Sequence, residues 1–399
     1  MNRHRNLFSL SAFALILAAC TSGAPAANGQ ATGAGNIDAT GAHPATALAD
    51  APFTVLEVAT FDEPWAMTFL PGTPFALITE QSGRLKLWEE GGAVVDVAGV
   101  PTVAYGGQGG LGDVILSPDF ATSNRIYLSW VEDDRDGNFG AVVAYATLDR
   151  SAATPTLKDI IPIWKADPKV SGRGHFSHRL AFSPDGQHLF ITSGERQKFT
   201  PAQDMNASLG KIIRVKPDGS APTDNPFAGA QGNGGIVQGQ IWSLGHRNLL
   251  GIAFDGAGHL WAQEMGPKGG DEVNLVTRGA NYGYPIVSNG DHYDGELIPD
   301  HPTRPEFAAP KLWWNPAVSP AGLAWYGGNL YPGWKNSLLM GALSGEGLIR
   351  MAVDGDTLHK ADRWDFGTRI REVEVREDGS VWLLIDGDKG KLVKLVPRG

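Results

Sequence analysis

From Phe53 onward the apolar positions fall in short runs, each followed by a polar turn and then a second run. The unit reads AMTFLPGTPFALITEQSGRLKLW from Ala66 and GDVILSPDFATSNRIYLSW from Gly112. It returns as RLAFSPDGQHLFITSG from Arg179 and GIAFDGAGHLWAQE from Gly251. GLAWYGGNLYPGWKNSLLMGAL from Gly322 and VEVREDGSVWLLID from Val373 complete the set. Further apolar stretches trail most copies, at residues 141–148, 210–215, 347–353 and 391–396. Loose repeats built only of strands predict an all-β, six-bladed β-propeller of four-stranded antiparallel blades. The run FTVLEV at residues 53–58 is expected to pair with the last strand, closing the ring and hiding its edges. A sandwich or two separate β domains is the alternative architecture. No long stretch carries 3.6-residue periodicity, so helices should be few and short.

Composition sharpens this picture in two places. The chain of 399 residues holds 52 Gly and 26 Pro, which suits many tight turns. Its formal net charge of −10 argues against a nucleic-acid partner, which needs a basic surface. Cys20 is the sole cysteine, so no intrachain disulfide forms. It follows a basic start (Arg3, His4, Arg5) and an apolar stretch too short for a convincing membrane span. Residues 1–20 resemble a bacterial lipoprotein signal ending in Leu17-Ala18-Ala19-Cys20, with Cys20 the lipidated position; an ordinary cleaved secretory signal is the other reading. Thr21 after the cysteine points to an outer-membrane anchor facing the periplasm. Residues 21–50 are Ala, Gly, Thr, Ser and Pro with almost no large apolar side chain, and read as a flexible tether. The propeller is then expected over residues 51–399.

Candidate chemistry clusters in the turns. The stretch GHRNLLGIAFDGAGHLWAQEMGPKGGDEVNLVTRGANYGYP, from Gly245, alternates buried strands with polar loops. Its Gly-Pro-x-Gly-Gly-Asp-Glu turn offers bare carbonyls and carboxylates, the oxygen donors a hard cation wants. His175 stands between glycines before a strand, where an imidazole can act as a base near neutral pH. Arg369 and Arg371, two apart in a strand pattern, face the same way and suit carboxylate binding. The glycine-rich loop 106–110 carries one polar side chain, Gln108, and lacks the Lys-Ser/Thr of a phosphate loop. There is no strand–GxGxxG–helix unit and no Cys/His cluster for zinc.

Taken in order, these pieces resemble the soluble quinoprotein sugar dehydrogenases, the glucose/sorbosone and aldose sugar dehydrogenase family. The matching motifs are GGQGGLGDVILSPDF from Gly106, GHFSHRLAFSPDG from Gly174, GKIIRVKPDGSAPTDNPF from Gly210 and GHRNLLGIAF from Gly245. EMGPKGGDEVNL from Glu264, GANYGYP from Gly279, WNPAVSPAGLAWY from Trp314 and RIREVEVREDG from Arg369 follow. The resemblance covers nearly everything after Phe53. It implies pyrroloquinoline quinone (PQQ) as cofactor, with Ca2+, and an aldose oxidised at C1 to a lactone. Electrons would pass to an external acceptor, a quinone or cytochrome.

By resemblance, His175 is the general base and Arg247 polarises the quinone oxygen. Gln108, Asn248, Arg369 and Arg371 hold the cofactor, and the carbonyls of Gly266 and Pro267 bind its calcium. Glu272 and the carbonyl of Tyr282 resemble ligands of a second calcium, and Gln108 and Trp314 are expected beside the substrate.

Two departures matter. Family members often carry a cofactor-binding lysine where this chain has Ser344, which removes a positive charge from the expected site. Some carry an acidic residue where Gly174 precedes His175, and its loss is expected to leave the imidazole less oriented and less basic. The rival readings are a calcium-dependent propeller lactonase or esterase, and a non-catalytic propeller that binds carbohydrate or a protein.

Overall fold

The computed structural model describes residues 43–229 and 235–398. The expected signal segment, Cys20 and most of the tether lie outside the described residues. Six sheets form in chain order. Their inner strands are Pro64–Phe69, Leu111–Leu116, Ser177–Phe182, Leu249–Phe254, Pro320–Tyr326 and Ile370–Val375. Each inner strand packs beside the next and the sixth packs beside the first, so the sheets are the blades of a closed propeller.

The burial pattern follows from blades stacking face against face. A second strand such as Leu189–Ser193 is buried at every position because both its faces meet neighbouring blades. The outer strand Thr156–Lys165 is mostly exposed or half-buried. The turn within each hairpin is set locally. In Ser183-Pro184-Asp185-Gly186, the Asp185 carboxylate accepts from the Ser183 hydroxyl and from the Gln187 amide at 3.0 Å.

Closure is as expected. Phe53–Phe61 pairs antiparallel with Gly390–Pro397, Phe53 opposite Pro397 and Phe61 opposite Gly390, so the sixth blade joins the two ends of the domain. Aromatic rings cement the seam: Trp88 of the first blade meets Trp382 of the sixth edge-on at 5.6 Å, and Phe53 meets Trp334 and Trp364 of the fifth edge-on at 5.9 and 5.2 Å. Helices are limited, among the described residues, to the short Phe120–Ser123 and Gly235–Gln240 and three single 3-10 turns. One expectation needs correcting. The tether ends before Asp50, because Thr46–Ala47 adds a parallel edge strand to the fifth blade against Thr357–Asp365. Backbone pairing there needs no large side chain, which is why composition did not reveal it.

Candidate active site

In every blade the inner strand runs in the same sense, so six strand starts converge on one end of the central channel. They enclose a cavity of about 340 Å³ lined by Trp65, Gln108, Phe176, Ser177, Leu250, Ser319, Arg369 and Arg371, with Gln81, Met265 and Leu343. The hairpin adds a second rule. The residue just past the second strand of a blade returns beside the start of its inner strand, so side chains from these two positions meet.

In the third blade this rule joins His175 to Glu195, whose carboxylate lies 2.5 Å from His175 Nδ1. Both are buried. Gly194 makes the approach possible, since a Cβ there would collide with the His175 carbonyl. Burial lowers the His175 pKa below its usual value, with Arg247 adding to the effect and Glu195 opposing it. Burial works to raise the Glu195 carboxyl, but its bonds to His175 and to the Phe199 amide bring it below the usual range. The result is an ionised Glu195 and a neutral imidazole whose proton is held on Nδ1, leaving Nε2 free to take one. Of the weakening expected at Gly174, the loss of orientation is made good by the Glu195 carboxylate, while the imidazole is less basic than usual through burial.

Glu195 also accepts from the amides of Gln197, Lys198 and Phe199 at 2.9, 2.6 and 2.7 Å. Gln108 Oε1 accepts from the His175 amide at 2.6 Å. The glycine loop is what lets it reach: Gly107, at φ +61, lies so close to the Arg173 carbonyl that a Cβ would sit 2.6 Å from it. His175, Ser177 and His178 all hold positive φ, a strained backbone of the kind that clusters at functional sites.

Arg247, at the matching start in the fourth blade, has its amide on Glu264 Oε2 at 2.5 Å. Its guanidinium donates to the carbonyls of Met265 at 2.9 Å and Gly266 at 2.6 Å. Asp271 fixes that turn, accepting from Gly266, Val318 and Ser319 amides. Asn248 stands directly behind the central cavity. It is fully buried, accepts from Ser177 Oγ at 3.2 Å and lies against Met265 Sδ at 3.8 Å, two residues that line the central cavity.

In the sixth blade Arg369 and Arg371 share Asp386, at 2.7 and 2.9 Å, and both line the central cavity. Two guanidiniums against one carboxylate leave a positive wall, which fits a flat polyanion between Trp65, Phe176 and Leu250.

Two carboxylates meet in a small space that Arg247 also lines. Glu272 is buried beside Glu264, and burial together with that neighbour pushes its carboxyl well above the usual range. Asn274 Nδ2 bridges the two carboxylates at 3.2 and 3.0 Å, and Asn274 Oδ1 is buried without a hydrogen-bond partner. Tyr282 and Gly266 line the same small space. Glu264 and Glu272 bring two carboxylates to it, and among the described residues no three His, Cys, Asp or Glu side chains form a metal cluster. The Gly266 carbonyl shares its lone pairs with Arg247, and Pro267 lines a second cavity beside His175.

That second cavity, of about 270 Å³, has His175, Glu195 and Arg247 together with Phe199, Tyr284, His292 and Tyr293. The expectation for Trp314 fails here. Its indole is 1% exposed and packed in the core with Val273, Leu312 and Met340, so no substrate reaches it. Sequence reasoning missed Glu195, Asp386 and Phe199. The signal for the first two was their place just past a second strand.

A six-bladed propeller whose opening holds a buried histidine–carboxylate pair, an arginine and a cationic wall agrees with an oxidoreductase acting on sugars, the class that the following comparisons support. The profile of the Glucose / Sorbosone dehydrogenase family matches residues 61–394, and the chain belongs to that family. It is 39% identical over 345 residues to the aldose sugar dehydrogenase YliI of Escherichia coli strain K12, covering 84% of this chain and 91% of that one. The apo structure of the soluble aldose sugar dehydrogenase from Escherichia coli superposes with a TM-score of 0.80 at 37% identity, over 87% of this chain and 100% of that one. The PQQ-bound aldose sugar dehydrogenase from Streptomyces coelicolor does so at 0.71 and 26% identity, over 90% and 100%.

Proposed function

We infer that the protein oxidises the C1 hydroxyl of aldose sugars to lactones, using PQQ and Ca2+ and passing electrons to an external quinone or cytochrome. The observation that carries this reading is the His175–Glu195 pair, which lines the aromatic-walled cavity and is tied through the His175 amide to Gln108 of the cationic one. Arg369, Arg371 and Gln108 would hold the cofactor's carboxylates and polar edge. The carbonyls of Gly266 and Pro267 would hold its calcium, and Glu272 with the Tyr282 carbonyl a second. Bound there, the quinone supplies a hydride acceptor and the cation draws charge from it.

The chain's own part is proton handling and placement. His175 Nε2 takes the proton of the C1 hydroxyl while Glu195 holds the ring and stabilises the imidazolium that forms. Arg247 presents a buried guanidinium whose Nε has no protein partner, ready for negative charge that develops at the reacting end. Buried Tyr284 keeps water from that end. The segment before Cys20 supports export and a lipid anchor at the outer membrane; a Cys20→Ala chain that stayed in the membrane fraction would contradict it.

The test is titration of purified apoprotein with PQQ in the presence of Ca2+, followed by D-glucose and an electron-accepting dye. Quinone uptake with sugar-dependent dye reduction is expected. No uptake, or lactone hydrolysis without quinone, would overturn the reading in favour of a hydrolase or a binding propeller.

A further inference from the structure

The motif GKIIRVKPDG, from Gly210, carries a lysine that reaches no solvent. Lys211 is 0% exposed at the start of Lys211–Val215, the third strand of the third blade. Its backbone pairs with Ser193 on one side and Leu244 on the other. The chain that runs on from Ser193 is the loop bearing Glu195, and the chain that runs on from Leu244 enters Arg247. Lys211 thus stands at the fork between the carboxylate that holds the base and the arginine.

Its ammonium is caged. Nζ donates to the carbonyls of Pro201, Ala202 and Leu209 at 2.7, 3.1 and 2.8 Å. An ammonium has three hydrogens to give and a neutral amine two, so three acceptors select the charged form. Burial opposes that choice and lowers the pKa to about 7, with Asp204 working the other way. A charge kept out of water persists only where fixed partners replace its hydration. Gly210 lets the cage close: at φ +69, a Cβ there would lie 2.6 Å from Ala202 Cα and 2.7 Å from the His246 carbonyl.

Pro201 and Ala202 belong to the single turn Thr200–Gln203, which closes the loop after Glu195. That turn is also tied to the arginine segment. The Ala202 carbonyl accepts from the Gly245 amide at 3.0 Å, and the Arg247 carbonyl accepts from the Glu195 amide at 2.9 Å. Gln203 Nε2 donates to the Tyr284 carbonyl at 2.8 Å, and the Tyr284 amide donates to the Gly245 carbonyl at 2.9 Å. One ammonium therefore holds down the clasp that sets Glu195 and Arg247 relative to each other.

We propose that Lys211 is a positioning residue for the reaction: its caged ammonium acts as a built-in monovalent cation that fixes the Glu195 loop against Arg247, and through Glu195 the His175 imidazole. Being wholly buried, it works through these two segments and not by touching sugar or cofactor. This rests on the aldose-oxidising reading for the reaction it serves.

The experiment compares the parent with Lys211→Met, of similar reach and no charge. In reconstituted protein the kcat for D-glucose should fall about 10- to 100-fold, as expected for a misplaced catalytic group. The glucose KM and the affinity for PQQ, whose proposed holders lie in other blades, should stay within about twofold. Lys211→Ala opens the space of the side chain, so n-propylammonium should raise its kcat severalfold, while tetramethylammonium, which has no hydrogen to donate, should not. Hydrogen exchange of the apoprotein reads the clasp without quinone: amides of residues 195–203 and 245–247 should exchange faster in Lys211→Met, and the other blades as in the parent. Should Lys211→Met not fold, Lys211→Gln, which keeps two donor hydrogens, is read in the same way. An unchanged kcat, exchange that quickens equally throughout the domain, or equal rescue by tetramethylammonium would overturn the proposal. If no aldose is oxidised, the proposed activity falls, while exchange still decides whether Lys211 holds the clasp.

Discussion

The third and fifth blades place matching backbone positions at the channel mouth, and of the two only the third fills them with a titratable pair. In the third, His175 before Ser177–Phe182 meets Glu195 after Leu189–Ser193 at 2.5 Å. In the fifth, Ser319 before Pro320–Tyr326 meets Ser344 after Ser337–Ala342 at 2.8 Å. The sixth repeats the relation with Arg369 and Asp386 at 2.7 Å. Antiparallel pairing fixes the juxtaposition whichever side chains occupy it. The propeller therefore supplies matched pairs of positions around one opening, and the sequence fills them with a histidine–carboxylate, an arginine–carboxylate or a serine–serine pair.

The largest break in this comparison is His175→Ala, which makes the third blade as inert as the fifth. It should lower kcat for dye-linked sugar oxidation by about 10²–10⁴-fold, the usual worth of a positioned base. Quinone binding should be retained, because Arg369, Arg371 and Gln108 remain. Unchanged turnover in reconstituted protein would show that the base lies elsewhere.

Glu195→Gln is a smaller break, on the order of 10²-fold in kcat, since the ring stays but loses its charged partner. The pH profile separates this from simple misfolding. Buried His175 already titrates below its usual value, so it is unprotonated at neutral pH, and kcat/KM falls as pH drops through its pKa. Glu195 raises that pKa by stabilising the imidazolium. Removing its charge should shift the acid limb to lower pH while lowering the plateau. A shift to higher pH would contradict the assigned role.

How much of this was legible follows from what kind of order carries it. The blades were legible because each strand–turn–strand copy announces itself locally, and ring closure because FTVLEV is an unclaimed strand at the domain's start. His175, Arg247, Arg369 and Arg371 were legible as polar residues at strand starts. Glu195 was not, because its tie to His175 depends on hairpin register across 20 residues. Trp314 misled for the opposite reason: it lies in a motif that reads as a ligand wall, yet strand pairing with Asp271 turns its indole into the core. Phe199 was hidden because its exposure comes from a positive-φ loop, which no side-chain pattern encodes.

The mildest and most informative change gives the fifth blade a charge. Ser344 is exposed, bonded to Ser319 Oγ, and follows Leu343; both of these neighbours line the central cavity. Ser344→Lys would add an ammonium at the rim of a wall where two arginines already face one aspartate. Being exposed, the lysine loses little hydration, so its attraction for a polycarboxylate is not offset by burial. Affinity for PQQ should rise about tenfold, equivalent to ~1.4 kcal/mol, and the gain should shrink as salt screens it. Ser344→Met, with similar reach and no charge, should give no gain, and kcat at saturating cofactor should stay within twofold in both. Quinone titrations at low and high ionic strength read all of this directly. A salt-sensitive gain confined to the lysine would mean the blades differ at the mouth only in which side chain stands there. Its absence would mean the fifth-blade position lies out of the cofactor's reach, leaving Arg369 and Arg371 to hold the anion without it.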